Sequence, residues 1–518
     1  VPRFCSCLAV LLCAQLAPAQ DALPPKIAAV IDGPDYAHSR WGLLFVDAKS
    51  GDVVYAKNPD LFFCPASVTK LFTCAAAMVA YGANHHFVTP LHRRGEVSKD
   101  GKLDGDLILV AQGDLTFGGR RAADGTTAFK DGDHTYTDGL TPDAEVTDTD
   151  PLFAFKALAK QVKAAGITHV AGEVLIDARL FAPARGTGSG PAAVSPVIVN
   201  DNMIDLVFTP GDKVGDPAKL TVRPETAYLR GDIGVRTGEK GGKVTMAEPG
   251  EDPAAFVLSG SIPLGSKPIV YAVAVERPAE FARTLLIEAL RREGVRVDAP
   301  LFLAPKVALP DGKVGYEKLP VVASYESEPL QDVLKVTLKV SHNLYASTLP
   351  CLVGAKAGKT TLKDGLLEEG KVLKGLGLDT TAISFGGGAG GSRADQVTPR
   401  ATVQLLLALK KRPDWSAFEA ALPVIGVDGT LATILPKTSP AHAQVRAKTG
   451  TYYWEDDANG RTHLVSKALA GTMTTKSGRE LVFAVFVNDV PLAKGVKTRR
   501  EGLILGKIAE IVHDDQPR

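Results

Sequence analysis

The chain has 518 residues, 45% of them apolar and 23% charged, with 59 Lys and Arg against 58 Asp and Glu. That composition describes a folded protein of about three or four domains and excludes a mainly disordered chain. The balanced charge also removes any general electrostatic drive toward nucleic acid or an anionic membrane.

Residues 1–19 carry a single charge, Arg3, a short apolar core at Leu8–Leu12, and Ala17-Pro18-Ala19 ahead of Gln20 and Asp21. This is the pattern of a secretory signal with an Ala-x-Ala cleavage site. The sequence therefore predicts an exported protein, periplasmic or otherwise outside the cytoplasm, soluble once the leader is removed. No later run reaches the roughly 18 consecutive apolar residues of a membrane helix. Cys64, Cys74 and Cys351 follow the leader. Three cysteines cannot close a disulfide framework, and they read as small buried apolar residues.

Apolar Trp41–Ala48, a turn at Lys49-Ser-Gly-Asp52 and Val53–Ala56 predict a β-hairpin. The stretch Pro65–Tyr81 follows, with proline at its start, an alanine-rich interior and Gly82 at its end, which predicts a buried helix. From about 88 to 320 the texture changes to short β-like runs (107–110, 174–176, 206–208, 254–258, 269–273) between glycine-rich turns, with helices at 152–165 and 282–293. A segment of that length is too long for a loop and reads as inserted domains, two of them nested. Helical patterns resume at 329–340, 343–352, 362–376 and 401–411. The end alternates again at 464–474 and 481–487, and a helix over 499–512 closes the chain.

Three separated pieces carry chemistry. In Ser67-Val-Thr-Lys70 the spacing of three puts both side chains on one helical face, so the amine reaches the hydroxyl. A serine hydroxyl needs a proton acceptor before it attacks, and a lysine made neutral by burial supplies one. The helix start adds N–H groups for developing negative charge. Ser341-His342-Asn343 supplies a second hydroxyl for proton relay and an amide to hold the lysine and a substrate carbonyl. Lys448-Thr449-Gly450, followed by Thr451, offers an amine and a hydroxyl for a carboxylate, with glycine permitting close substrate approach. Singly, each has an ordinary structural explanation: a chance pair, a helix cap, a surface turn.

Together and in this order they match the S-x-x-K, S-x-N and K-T-G set of penicillin-binding proteins and class A β-lactamases. Further stretches narrow the resemblance: Pro65–Leu71, Gly105–Asp114, Asn200-Asp-Asn202, Ser327-Glu-Pro-Leu330, Ser392-Arg393, Val397-Thr-Pro399 and Leu422–Leu431. With the long interval between Ser67 and Ser341, the chain resembles the D-Ala-D-Ala carboxypeptidase / DD-endopeptidase family, peptidase family S13, of the penicillin-binding protein 4 type. The resemblance implies an α+β fold. In it, 20–87 and 321–518 form a transpeptidase / β-lactamase-like catalytic domain, an antiparallel sheet flanked by helices beside an all-helical part, and 88–320 is inserted.

It also implies that Ser67 is acylated, Lys70 is the base, and Ser341 and Asn343 line the cleft. Lys448 and Thr449 would hold the substrate carboxylate, and the backbone N–H groups of Ser67 and Thr451 would form the oxyanion hole. The implied substrates are peptidoglycan stem peptides and cross-links, with β-lactams as covalent inhibitors and no cofactor or metal. A serine β-lactamase or esterase using the same machinery, or an inactive wall-binding protein, are the alternatives.

Two departures from the family pattern stand out. His342 occupies a position that is usually aspartate, and it is expected to point away from the serine. Gly387–Arg393 replaces a typical Asp-Gly-Ser-Gly-Leu-Ser-Arg, a loss of side chains expected to alter substrate preference or rate.

Other motifs lead nowhere. Gly358-Lys-Thr360 lacks the earlier glycine of a phosphate loop, because Val353 stands there. The glycines of 386–391 open no dinucleotide-binding helix. His85, His86 and His92 lack further ligands at metal spacing, His442 lacks a nucleophile elbow, and Asp131-Gly-Asp133 is no calcium loop.

Overall fold

The computed structural model describes residues 23–136, 139–141, 144–239, 244–247, 255–312 and 315–515; the leader predicted over 1–19 lies outside them. Both ends of the chain build one five-stranded antiparallel sheet. Its strand order is Val53–Lys57, Arg40–Asp47, Glu480–Pro491, Arg461–Thr474, Val445–Asp456. The predicted hairpin thus forms one edge, and the strand carrying Lys448 forms the other.

Side chains alternate across this sheet, and both faces are covered. Leu43 and Phe45 face one way, toward the helices Pro25–Ile31 and Arg499–Asp514, in a core that includes Leu469, Phe483 and Ile508. Phe45 and Phe483 stack there with centroids 5.2 Å apart. Leu44 and Val46 face the other way, with Phe63, Ala468 and Phe486, toward the helices Thr69–Tyr81 and Pro399–Lys410. Leu330–Lys339, Asn343–Lys356 and Leu362–Gly375 complete the helical side.

Two helices differ from expectation in physically clear ways. The predicted helix from Pro65 begins as a 3-10 turn, Ala66–Val68, before the α-helix Thr69–Tyr81. The cause is Ala66, whose φ of 46° is left-handed and cannot continue into an α-turn. The helix predicted to end at Leu352 runs on to Lys356 through Pro350. The next helix packs closely on it there: a Cβ on Gly365 would lie 2.2 Å from the Pro350 carbonyl oxygen.

The middle of the chain has its own apolar core, drawn from residues between Leu91 and Tyr325. Strands Val88–Val97, Lys102–Val110 and Val174–Asp177 pack against helices Phe153–Ala164 and Pro278–Arg292; all but Val88–Val97, which no short apolar run indicates, overlap their predicted places. Val321–Glu326 pairs antiparallel with Val88–Val97, so the chain leaves and re-enters the middle region side by side. Among the described residues, no helix is long and apolar enough to cross a membrane.

Candidate active site

Ser67 sits in the 3-10 turn and Lys70 in the first turn of the following helix, so the kink at Ala66 sets their relation. Lys70 Nζ is 2.9 Å from Ser67 Oγ, 2.7 Å from Asn343 Oδ1 and 2.7 Å from the Ala389 carbonyl oxygen. The Asn343 amide is oriented by its other end, whose Nδ2 donates to the Ser189 carbonyl at 3.0 Å. Its oxygen therefore faces the lysine. Lys70 is wholly buried, and that burial pulls its pKa from 10.5 down to about 7.

The hydrogen-bond partners accept the amine in both its forms: as an ammonium it donates to all three oxygens, the Ser67 hydroxyl included. Asn343 Oδ1 and the Ala389 carbonyl can only accept, and each takes one N–H. A neutral amine has two hydrogens and one lone pair, so the lone pair is left directed at the Ser67 hydroxyl.

Ser341-His342-Asn343 begins the helix Asn343–Lys356. Ser341 adopts a left-handed φ of 59°, which ends the preceding helix, and His342 caps the next by accepting the Tyr345 N–H through Nδ1 at 3.3 Å. His342 does point away from Ser67, as expected. Its imidazole stacks on Tyr345 with centroids 3.7 Å apart, and Nε2 lies 3.2 Å from Asp201 Oδ1. Burial lowers its pKa, against the opposing pull of Asp201.

Lys448 is the fourth residue of the edge strand and is fully buried. Its Nζ donates to Ser341 Oγ at 2.9 Å and to the Thr449 carbonyl at 2.8 Å, so the second hydroxyl is tied to Lys448. Burial, with Lys70 nearby, holds its pKa well below the ordinary lysine value. Thr449 Oγ1 donates to Thr430 Oγ1 at 2.8 Å.

On the open side of this strand the Val445 carbonyl and the Ala447 N–H bond the segment Pro423–Ile425. Every second residue faces the same way, so the backbone of Thr449 and Thr451 also faces outward, into the cleft. Gly450 is also demanded by the fold itself. A Cβ there would lie 2.4 Å from the Pro65 carbonyl oxygen and 3.2 Å from Ala66 Cβ. The glycine lets the strand approach the nucleophile turn.

The glycine run 386–391 is explained by the same kind of contact. A Cβ on Gly390 would stand 1.9 Å from the Ala66 carbonyl oxygen, and one on Gly388 2.0 Å from that of Ala346. The loop threads between the nucleophile turn and the helix Asn343–Lys356 and delivers the Ala389 carbonyl to Lys70. Asp395 folds it, accepting the N–H groups of Gly386 and Ser392 at 2.8 and 2.9 Å. Burial raises that carboxyl to about 6.

Sequence reasoning missed the charged network behind the second motif. Arg120 pairs with Asp133 and Asp201, each at 2.8 Å, and His134 bridges Asp201 and Asp205 at 2.8 and 2.6 Å. Tyr345 donates its hydroxyl to Asp201. Asn200, Asp201 and Asn202 all have left-handed φ, from 47° to 57°. That turn pushes the Asp201 carboxylate toward His342 and Tyr345. The Asn-Asp-Asn sequence, suited to left-handed backbone, was the available signal.

Ser67, Ser341, Asn343, Thr449 and Thr451 line one cavity of about 650 Å³, together with Tyr136 and Ser189 from the middle region. Tyr136 donates its hydroxyl to the Val340 carbonyl beside the second motif. The remaining candidates have structural partners: His85 packs on Tyr81 and Phe87, His86 and His92 reach the Ser327 and Leu319 carbonyls, and His442 reaches that of Gly426. Cys64, Cys74 and Cys351 are free and buried.

This arrangement has relatives. The D-alanyl-D-alanine carboxypeptidase of Actinomadura sp. (strain R39) is 27% identical over 83% of this chain and 76% of its own length. The D-alanyl-D-alanine carboxypeptidase DacB of Haemophilus influenzae is 24% identical over 90% of this chain and 89% of its own. The crystal structure of penicillin binding protein 4 from Haemophilus influenzae superposes with a TM-score of 0.68, covering 94% of this chain and 98% of that one at 21% identity. The same protein has been solved in complex with a β-lactam. The family model D-Ala-D-Ala carboxypeptidase 3 (S13) matches residues 23–504, which include all three motifs and the whole middle region. The chain belongs to the D-Ala-D-Ala carboxypeptidase 3 (S13) family.

Proposed function

We propose that this protein is a serine-type D-alanyl-D-alanine carboxypeptidase, with DD-endopeptidase capacity, acting on peptidoglycan stem peptides through an acyl-enzyme on Ser67. The observation that carries this reading is the contact of the buried Lys70 amine with Ser67 Oγ at 2.9 Å, its other two partners, Asn343 Oδ1 and the Ala389 carbonyl, being pure acceptors, so that loss of one proton turns a lone pair toward the serine.

In this reading neutral Lys70 takes the Ser67 proton as Oγ attacks the carbonyl of the penultimate D-alanine. The oxyanion is met by the N–H groups of Ser67 and Thr451, the first at a helix start and the second on an open strand edge. Lys448 and Thr449 hold the terminal carboxylate. The proton taken by Lys70 is delivered to the departing amine of D-alanine, with the Ser341 hydroxyl as the relay, and water then releases the acyl group. The same steps cleave a cross-link when the leaving amine belongs to a second stem. A β-lactam carries an amide carbonyl and a carboxylate in a similar relation and acylates Ser67.

The catalytic unit comprises 20–87 and 321–518. The separate apolar core of the middle region supports 88–320 as an insertion, and Val321–Glu326 pairs back onto Val88–Val97 at the junction. The leader-like 1–19 supports export to the compartment that holds the polymer. The test is a muropeptide assay by mass spectrometry. Release of D-alanine from a pentapeptide ending in D-Ala-D-Ala, absent in Ser67→Ala, is expected. An unchanged pentapeptide would refute the reading.

A further inference from the structure

Lys467 stands directly across from Thr451 on the neighbouring strand. It is 9% exposed, lines the same cavity as Ser67, and donates from Nζ to Thr451 Oγ1 at 2.8 Å. Among the described residues, no carboxylate comes within ion-pair distance of it. The nearest acidic influence is Glu501 in the first turn of the closing helix, whose carboxylate is already taken by the Tyr36 hydroxyl and Arg500, both at 2.6 Å. The other charged groups facing Lys467 are cationic. Lys448 approaches from the adjacent strand, and Arg499 lines the cavity with its guanidinium on the Thr433 carbonyl at 3.0 Å. Gly502 leaves room for the lysine stem, since a Cβ there would come within 3.4 Å of Lys467 Cε.

A buried amine without a counter-ion is costly unless something arrives to balance it. What arrives is constrained by the hydroxyl between them. Because Thr451 Oγ1 accepts from Lys467, its own hydrogen must point elsewhere, and the side chain borders the cleft beside Thr449. Burial lowers Lys467 only to about 8. Lys467 therefore keeps its proton at neutral pH.

We propose that Lys467 is a specificity-determining residue for substrates with a free terminal carboxylate: it fixes the Thr451 hydroxyl as a donor toward that carboxylate and supplies the missing countercharge. The proposal rests on the assignment of Lys448 and Thr449 to the carboxylate site.

The test compares acylation of the full-length protein by benzylpenicillin and by its methyl ester, in the wild type and in Lys467→Met and Lys467→Gln. Loss of a charge-assisted contact slows the free acid roughly 10- to 100-fold, while the ester, which brings no charge, loses far less. In the wild type, the acid-to-ester rate ratio should also fall above about pH 8, a readout that does not depend on any variant folding. Equal slowing of acid and ester, or a ratio flat from pH 7 to 9.5, overturns the proposal while leaving Ser67 acylation intact. Failure of both compounds to acylate the wild type would instead overturn the reading on which it rests.

Discussion

Lys70 Nζ stands 2.9 Å from Ser67 Oγ, and both of its hydrogens in the neutral form are committed to Asn343 and Ala389. The residue therefore has one function available at a time: as an amine it accepts the serine proton, and as an ammonium it donates to the same oxygen and blocks attack.

The pH dependence of acylation follows. Burial brings Lys70 to about 7, so the active fraction grows as pH rises through that value. The second-order rate with benzylpenicillin should fall about tenfold per unit below pH 7 and level off above it. Lys70→Met should lower the rate by a factor on the order of 10² to 10⁴. A rate independent of pH from 5 to 8 would contradict the assignment.

Gly450 and Gly370 separate close approach from mere flexibility. A Cβ at 450 meets the Pro65 carbonyl at 2.4 Å, whereas one at 370, inside a helix, meets nothing within 4 Å. Gly450→Ala should cost about 1–3 kcal/mol and displace Ser67, slowing acylation. Gly370→Ala should stabilise by about 0.5–1 kcal/mol. Denaturant unfolding measures both.

His342 is where this chain departs from the usual aspartate, and the buried partner makes the reason testable. His342→Asp would place a second carboxylate beside Asp201, whose Oδ1 is 3.2 Å from the imidazole. That change should cost about 3 kcal/mol or more, as for an unpaired buried charge. His342→Asn should cost much less. Equal unfolding midpoints for the two variants would show that Asp201 does not sense this position.

The three motifs were legible because each packs its chemistry into three or four consecutive residues on one local element. The strands and helices around them were legible for the same reason, since apolar periodicity is a short-range signal. What escaped depends on contacts far apart in the chain. The Ala389 carbonyl meets Lys70 across 319 residues, and it acts through backbone, leaving only a run of glycines that looked like lost function. Gly450 likewise read only as room for substrate, because the Pro65 carbonyl that crowds it is visible only in the fold. Arg120, Asp133, His134 and Asp201 are scattered through the middle region, and nothing local announces that they converge behind His342. The 3-10 turn at Ser67 was hidden by Ala66, whose left-handed backbone no propensity suggests.

The central claim is that Ser67 is the acylated nucleophile, and intact mass spectrometry after incubation with benzylpenicillin tests it most directly. The account predicts one adduct per chain with the mass of the whole antibiotic, absent in Ser67→Ala. An adduct that persists in Ser67→Ala, or an unmodified wild-type protein beside intact antibiotic, would contradict it.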